Sequence, residues 1–232
     1  MKWRKSPGGP RSWHPHAWQT QSLLLAYPDA DHPARLALAR RVADTLPDPV
    51  AEPLRAFLTD AGRTPADDLA AAYVATFDHR KRCCPYLTYY GHGDTRKRGL
   101  ALLRLKQTYA AAGWRLADDE LPDHLAVVLE FAAAEPATGH RLLTEHRAGL
   151  ELLRLALVED GSRWAAVLTS VAATLPALKG DERAAVARLA AEGPPEEEVG
   201  LAPYPPAASS PSSSSSSAPL FLPDPVFPGG PR

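Results

Sequence analysis

The segment 137–158, ATGHRLLTEHRAGLELLRLALV, carries the strongest periodic pattern in the chain and decides its fold class. Its apolar residues recur at spacings of three and four, and charged residues lie between them. This spacing places the apolar side chains along one side of an α-helix, because the helix repeats every 3.6 residues. The segment therefore predicts one long amphipathic helix with a stripe formed by Leu142, Leu143, His146, Leu150, Leu153 and Leu157.

The chain on either side of this segment repeats the helical pattern in shorter pieces. Alanine, leucine and arginine dominate, and the alternation of β-branched residues that is typical of strands is nearly absent. Apolar spacing, together with the positions of proline and glycine, predicts an all-α protein with a single compact helical domain of about eight to nine helices. The helix near 95–113 is apolar on two sides, which predicts that it lies at the centre of the domain.

The composition changes at both ends of the chain. Residues 1–15 combine basic residues, glycine and proline without periodicity, which predicts a disordered basic arm. Residues 193–232 hold 11 of the 24 prolines and the run SSPSSSSSSAP, so this segment has too little apolar surface to offset its ordering entropy. We therefore expect a helical domain over residues 16–191 and a disordered Pro/Ser-rich C-terminal tail over residues 193–232.

The charge balance and the cysteine content exclude several classes of protein. Lysine and arginine number 26 against 27 acidic residues, and this near balance argues against a dedicated nucleic-acid-binding protein. The two cysteines, Cys83 and Cys84, are adjacent and cannot build a disulfide framework, which fits a reducing compartment. No apolar run approaches the roughly 18 residues of a membrane span. We expect a soluble, cytoplasmic protein that does not insert into a membrane.

Motifs for catalysis or for metal binding are weak. The run from His79 to Cys84 offers three metal-ligating side chains, but a zinc site needs four, and no second cluster supplies the rest. The chain has no G-x-S-x-G motif, and most of its serines lie in the C-terminal tail. We therefore expect no catalytic residue, no metal site and no enzymatic activity.

The stretch YYGHGDTRKRG, residues 89–99, combines glycines with basic residues. Its glycines do not have the spacing of a phosphate-binding loop, so it predicts a turn that leads into a capped helix. Arg80 and Arg82 precede this stretch, and Arg96 and Arg98 lie within it. These residues, with Asp94, form a candidate basic partner surface. As an alternative, the four arginines would clamp a nucleotide or another anion in a helical regulatory protein.

The next stretch, residues 116–135, is acidic and contains no lysine or arginine. Two interpretations stay open. Acidic residues near a helix start complement the helix dipole, which is the simpler interpretation. The same residues would also form an acidic rim for a cationic peptide.

Four long blocks of the sequence follow one another: YVATFDHRKRCC at 73–84, YLTYYGHGDTRKRG at 86–99, LLRLKQTYAAAGW at 102–114 and ELPDHLAVVLEFAA at 120–133. Together these blocks resemble the respiratory nitrate reductase delta subunit, the NarJ-type molybdenum cofactor assembly chaperones. The resemblance implies the all-helical fold of the redox-enzyme maturation chaperones and a role without catalysis. The partner that it implies is the catalytic (alpha) subunit of nitrate reductase, held through its N-terminal segment and a second surface.

The resemblance also implies what the protein does for that partner. It would assist insertion of the molybdenum cofactor into the apo catalytic subunit before membrane attachment, and would bind no cofactor stably itself. Glu120, Asp123 and His124 correspond to a leader-binding E-P-x-D-H motif of the wider group, with proline one position later here. We expect these three residues, with Tyr89 and Tyr90, to bind the partner peptide. Tyr86 is a further candidate aromatic contact, and core packing is the alternative for two of the three tyrosines.

Overall fold

The computed structural model describes residues 9–117 and 120–193. Within these residues the regular structure is helical, and no β-strand is present, so the predicted all-α fold is confirmed. The disorder predicted for most of the N-terminal arm and for the C-terminal tail concerns residues outside the described ones. The eleven α-helices of the described residues are α1 His14–Leu25, α2 His32–Ala43, α3 Asp48–Ala61, α4 Ala66–Phe77, α5 Leu87–His92, α6 Arg96–Ala111, α7 Leu125–Ala134, α8 Pro136–Glu145, α9 Arg147–Glu159, α10 Trp164–Ala173 and α11 Gly180–Glu192.

Proline and glycine set many of the helix boundaries. Pro15, Pro33, Pro49 and Pro136 lie in the first turns of α1, α2, α3 and α8, where the missing N–H of proline has no intrahelical partner to lose. Gly113 follows α6 with a φ of +83°, a backbone conformation that glycine adopts without strain. These local signals explain why the sequence located most of the helices.

The segment 137–158 forms two helices instead of the predicted single one. Helix α8 ends at Glu145 and α9 begins at Arg147, and between them His146 bonds through Nδ1 to the Leu142 carbonyl oxygen at 2.9 Å. The break lets α8 pack against α7 while α9 packs against α10 and α11. Both parts of the leucine stripe are therefore buried against different helices, which a periodic pattern does not distinguish from one straight helix.

Helix α1 lies at the centre of the fold and packs against α2, α7 and α10. Trp18 of α1 is fully buried, and its indole N–H donates to Thr174 Oγ1 at 2.9 Å. Trp164 of α10 is also buried and donates to the Leu24 carbonyl oxygen at 3.2 Å. Helix α1 begins at His14, which lies inside the segment 1–15 that was predicted to be a disordered arm. His14 is buried, and its Nε2 lies 3.1 Å from the Thr174 carbonyl oxygen.

Helix α6 is not central, so that prediction was wrong. Only Leu105 and Tyr109 of its 16 residues are buried, and Leu100 and Leu103 are 60% and 51% exposed. Among the elements of the described structure, α6 packs mainly against α5. Its second apolar side is therefore exposed, because none of the described helices packs on Leu100 and Leu103. None of the helices in residues 9–117 and 120–193 has the length and apolar character needed to cross a membrane.

Candidate functional site

Two sequence blocks meet where the segment before α5 crosses the segment before α7. The Leu125 N–H donates to the Pro85 carbonyl oxygen, and the Leu87 N–H donates to the Asp123 carbonyl oxygen, each at 2.9 Å. Tyr86 and His124 form an isolated antiparallel bridge between the same two segments. These backbone bonds fix the position of the residues that were predicted to bind a peptide, although 38 residues separate Tyr86 from His124.

Asp123 is fully buried beneath this crossing. Its Oδ2 accepts hydrogen bonds from the hydroxyl and from the backbone N–H of Thr88, and it lies 3.5 Å from Arg98 Nη2. Arg98 Nε also donates to the Thr88 hydroxyl at 3.3 Å. Asp123 therefore joins the start of α5 to the first turn of α6 and presents no surface for a peptide to contact.

His124 caps helix α7 and is half-buried. Its Nδ1 accepts a hydrogen bond from the Ala126 N–H at 3.3 Å, which requires the neutral ring to carry its proton on Nε2. Burial lowers the pKa of His124 below its usual value, although the neighbouring Asp123 acts in the opposite direction. The ring meets Tyr86 edge-on, with 5.4 Å between the ring centroids. A neutral, oriented imidazole therefore stands beside an aromatic ring.

A groove of about 430 Å³ opens next to His124 and Tyr86. We call it the acidic groove. Helices α1, α4 and α7 form its walls, and Tyr27 and Tyr73 meet edge-on inside it at 5.5 Å between centroids. The residues that line it are Gln19, Ser22, Leu23, Ala26, Tyr27, Arg35, Tyr73, Tyr86, Glu120, His124, Ala126, Val127 and Glu130.

Glu120 and Glu130 give the acidic groove its charge. Both are exposed, and neither carboxylate makes an ion pair or a hydrogen bond with the described part of the chain. The guanidinium of Arg35, which also lines the groove, is paired with Asp29 at 2.5 Å. A smaller cavity of about 320 Å³, lined by Trp114 and Phe131 among others, shares both glutamates with the groove. The carboxylates are therefore free to meet a cationic group from outside.

Tyr89 and Tyr90 lie at a different cavity of about 370 Å³, together with Lys81, Arg82 and Leu155. The Tyr90 hydroxyl donates to the carbonyl oxygens of Arg82 and Cys84 at 3.1 and 3.0 Å. Glu120 and His124 share the acidic groove, Asp123 lies beneath it, and the two tyrosines belong to this second cavity. Of the five residues predicted as one peptide site, two line the acidic groove, two line this second cavity, and Asp123 lines neither.

Arg80 and Arg82 bind the end of helix α9. Arg80 Nη1 lies 2.8 Å from Asp160 Oδ2, and Arg82 pairs with both Asp160 and Glu159. The Cys83 thiol also donates to Asp160 at 3.2 Å. The bonds from Arg80 and from the thiol lower the pKa of Asp160 to about 2, while burial and the bond to Asp160 raise the pKa of Cys83 to about 12.

The other members of the predicted basic surface have different partners. Arg98 pairs with Asp94 at 3.2 Å and with buried Asp123, whereas Arg96 is exposed at the start of α6. Arg80, Arg82 and Arg98 are therefore bonded to carboxylates of the chain itself. This arrangement does not favour the alternative in which the arginines clamp a nucleotide.

Two tyrosines of the acidic groove were not predicted to bind a peptide. Tyr73 belongs to the apolar stripe of α4, and Tyr27 follows the end of α1. Glu130 was predicted only as part of the acidic stretch 116–135 and was not among the named peptide-binding residues. The signal that would have found it is the helical spacing of Ala126, Val127 and Glu130, which places them on one side of α7.

Comparisons with known proteins agree on one family. Residues 43–170 match the family described as nitrate reductase delta subunit. The nitrate reductase-like protein NarX of Mycobacterium tuberculosis is 39% identical over 165 residues, which cover 70% of this chain and 24% of that protein. The chain therefore spans about a quarter of the length of that relative.

Two further relatives and one solved structure complete the comparison. The Bacillus subtilis protein named "Probable nitrate reductase molybdenum cofactor assembly chaperone NarJ" is 34% identical over 66% of this chain and 85% of its own length. The nitrate reductase molybdenum cofactor assembly chaperone NarJ of Escherichia coli is 36% identical over half of each chain. A crystallised Archaeoglobus fulgidus protein, described as a candidate redox enzyme maturation protein, has the same fold with a TM-score of 0.51 at 23% identity, over 81% of this chain and 99% of its own.

Proposed function

The chain belongs to the nitrate reductase delta subunit family, and we propose that it is an assembly chaperone for the catalytic (alpha) subunit of a nitrate reductase. The strongest support is the match over 85% of a Bacillus subtilis relative whose name states that role. The protein would hold the apo subunit while the molybdenum cofactor is inserted, would bind no cofactor stably, and would release the subunit before its membrane attachment. This is a binding role without turnover, carried out in the cytoplasm.

The acidic groove is our candidate site for the N-terminal segment of the client. Tyr27, Tyr73 and Tyr86 offer aromatic surface, and the exposed carboxylates of Glu120 and Glu130 at the edge have no partner among the residues that the structure describes. A helical peptide with an apolar side and basic residues matches both features, because its apolar side would cover the rings and its cations would meet the carboxylates. The two glutamates are the observation that supports this choice of occupant.

The residues around the groove would have different roles. Glu120, Glu130 and Tyr86 would contact the peptide directly, and His124 Nε2–H would donate to a carbonyl or hydroxyl oxygen of the peptide. Asp123 would not contact the peptide but would position the residues that do, because it bonds to Thr88 and Arg98 beneath the crossing. Its removal would move Tyr86 and His124 and would not delete a contact.

A second surface of the chaperone would contact another part of the client. The cavity at Tyr89 and Tyr90 lies between α5, α9 and α11, and its apolar lining includes Leu152, Leu155 and Leu189. Arg82 at this cavity is already paired with Glu159, so Lys81 is the cation that an acidic side chain of the occupant would meet beside the apolar lining. The two surfaces differ in charge and would therefore select different segments of the same subunit.

Isothermal titration calorimetry with a synthetic peptide of the catalytic subunit's N-terminal segment tests the proposal. The double variant Glu120→Gln with Glu130→Gln removes both charges and keeps the side-chain size. We expect it to weaken binding by about tenfold or more, as two carboxylates lose their cationic partners. The matched control, Glu52→Gln with Asp67→Asn, removes two exposed charges on α3 and α4 and should bind like the unchanged protein.

The possible outcomes separate the role from the site. Saturable binding that the two double variants leave equally strong would keep the chaperone role and move the peptide away from the acidic groove. If the apo subunit binds and the peptide does not, the chaperone recognises a part of the client other than its N-terminal segment. Failure to bind either the peptide or the apo subunit would contradict the chaperone role itself.

A further inference from the structure

Helix α6 lies outside the acidic groove and has a strongly basic sequence. Its 16 residues include five basic residues and no acidic one, although the whole chain has a net charge of −1. Arg98 turns towards Asp94 and Asp123, while Arg96, Lys97, Arg104 and Lys106 are exposed. The helix therefore presents a concentrated positive charge on the outside of the fold.

The solvent-facing side of α6 is also apolar at its centre. Leu100 and Leu103 are 60% and 51% exposed and lie opposite the buried residues Leu105 and Tyr109. Helical spacing places Lys97 and Arg104 along one edge of this apolar stripe and Lys106 along the other. We call this side of α6, with its leucines and flanking cations, the outer α6 face.

The outer α6 face is one exposed side of a single helix. None of the four cavities described for this protein is lined by a residue between 96 and 108. A peptide would therefore find no walls here, whereas a lipid bilayer needs none. Exposed leucines with lysine and arginine on both sides suit an anionic membrane interface, because the cations can meet the headgroups while the leucines reach below them.

We propose that the outer α6 face docks on an anionic lipid surface, with Leu100 and Leu103 entering the headgroup region and Lys97, Arg104 and Lys106 binding lipid phosphates. The long aliphatic stems of lysine and arginine let the charges stay at the headgroups while the leucines reach deeper. The positive charge of α6 is attracted to acidic lipids. The rest of the chain has a net negative charge, so other surfaces are repelled by the same lipids. The docking is reversible and independent of any membrane-spanning segment.

Flotation with lipid vesicles tests this proposal on the full chain. Vesicles of phosphatidylglycerol mixed with phosphatidylcholine should carry the protein to the top of the gradient, and vesicles of phosphatidylcholine alone should not. Lys97→Glu with Arg104→Glu should abolish flotation, and Leu100→Ser with Leu103→Ser should lower the bound fraction about tenfold. Raising the salt concentration should release the protein, because the Debye length shortens.

A matched control uses two other exposed apolar residues. Leu38 on α2 and Val158 on α9 are 41% and 52% exposed, so Leu38→Ser with Val158→Ser changes the same kind of surface elsewhere. This control should float like the unchanged protein, and circular dichroism should show the same helix content for all variants. Equal flotation with neutral and anionic vesicles, or an equal loss in the α6 leucine variant and in this control, would overturn the proposal.

An acidic protein partner is the competing occupant, and the same variants distinguish it. If soluble polyglutamate binds the chain as tightly as the anionic vesicles do, and the Leu100→Ser with Leu103→Ser change leaves both interactions unaltered, the leucines have no role. The outer α6 face would then be a site for acidic proteins, and the lipid proposal would be wrong. This outcome is independent of peptide binding in the acidic groove.

Discussion

The buried carboxylate of Asp123 accepts hydrogen bonds from both the hydroxyl and the backbone N–H of Thr88, a residue 35 positions earlier in the chain. The hydrogen bonds between Thr88 and Asp123 connect the start of α5 to the segment that precedes α7. The bond explains why this carboxylate, which was predicted to bind a peptide, is inaccessible to one. It also predicts that changes at this position act on stability first.

Asp123→Ala should lower the free energy of unfolding by about 3 kcal/mol, because it leaves two donors of Thr88 and the charge of Arg98 without their buried partner. Urea denaturation followed by circular dichroism measures the change. Asp94→Ala is the control, since Asp94 pairs with the same arginine but is 70% exposed; it should lower the free energy by less than about 1 kcal/mol. Equal effects of the two substitutions would contradict the structural role of Asp123.

Gly139 permits the close approach of α8 to α7. A Cβ atom at this position would lie 2.2 Å from the Cα atom of Ala132, so the two helices would have to separate. Gly139→Ala should therefore reduce the free energy of unfolding by about 2 kcal/mol, as overpacking does. Thermal unfolding would show the change as a lower midpoint.

Gly99 supplies the matched control for this prediction. It lies inside α6, and a Cβ atom there would meet nothing within 4 Å. Gly99→Ala should raise the free energy of unfolding by up to about 1 kcal/mol, because alanine favours the helix and restricts the unfolded chain. A loss of stability in both variants would show that glycine is needed for another reason.

The ion pairs of Asp160 predict a loss of stability in acid. The pKa of Asp160 falls from 3.8 to about 2 because Arg80 and the Cys83 thiol bond to the ionised carboxylate. A lowered folded-state pKa contributes stability that is present above the unfolded value and is lost as the pH falls through the folded one. The free energy of unfolding should therefore decline between about pH 4 and pH 2.

Asp160→Asn isolates this contribution, since asparagine keeps the shape and does not titrate. The unchanged protein should be more stable than the variant above about pH 4, and the difference should shrink towards pH 2. A difference that stays constant over this range would show that the carboxylate is not the group responsible. An NMR titration of the Asp160 carboxyl carbon gives an independent value for its pKa.

His124 should respond to pH in the range near neutrality. Burial lowers its pKa from the usual 6.5, so the unfolded chain takes up the proton first as the pH falls. The contribution of His124 to stability is therefore complete above pH 6.5 and declines below it. Protonation of Nδ1 would also end its hydrogen bond from the Ala126 N–H at the start of α7.

His124→Asn tests this prediction, because asparagine is a good helix cap without a titrating group. The free energy of unfolding of the unchanged protein should fall relative to that of the variant as the pH drops below 6.5. A relative rise would mean that Asp123 raises the histidine pKa more than burial lowers it. The C2 proton of His124 in an NMR titration reports the pKa directly.

Much of the fold could be predicted from the sequence because helices depend on local signals. Apolar spacing, proline in first turns and glycine after last turns located most of them. The sequence did not reveal the six-residue helix α5, whose tyrosines and glycine resemble a loop, or the break at His146. It also predicted a central α6, because two apolar sides do not say which of them another helix will cover.

The candidate site was predicted only in part, for a similar reason. The motif residues Glu120 and His124 do line one groove, but Asp123 is buried and Tyr90 closes a different cavity. A sequence motif gives the order of residues and not the direction of each side chain. The direction in which each side chain points depends on how its segment pairs with others, as in the bridge between Tyr86 and His124.

Composition and short-range order were enough to predict the helical class, the separation of basic and acidic stretches, and the resemblance to a chaperone family. The positions of the surfaces depend instead on how distant helices pack. The acidic groove exists because α1 and α7 pack together, as in the 2.7 Å hydrogen bond from the Ser22 hydroxyl to the Ala126 carbonyl oxygen across 104 residues. Such contacts arise from the burial of whole helix faces, and local periodicity carries no information about which distant face each will meet.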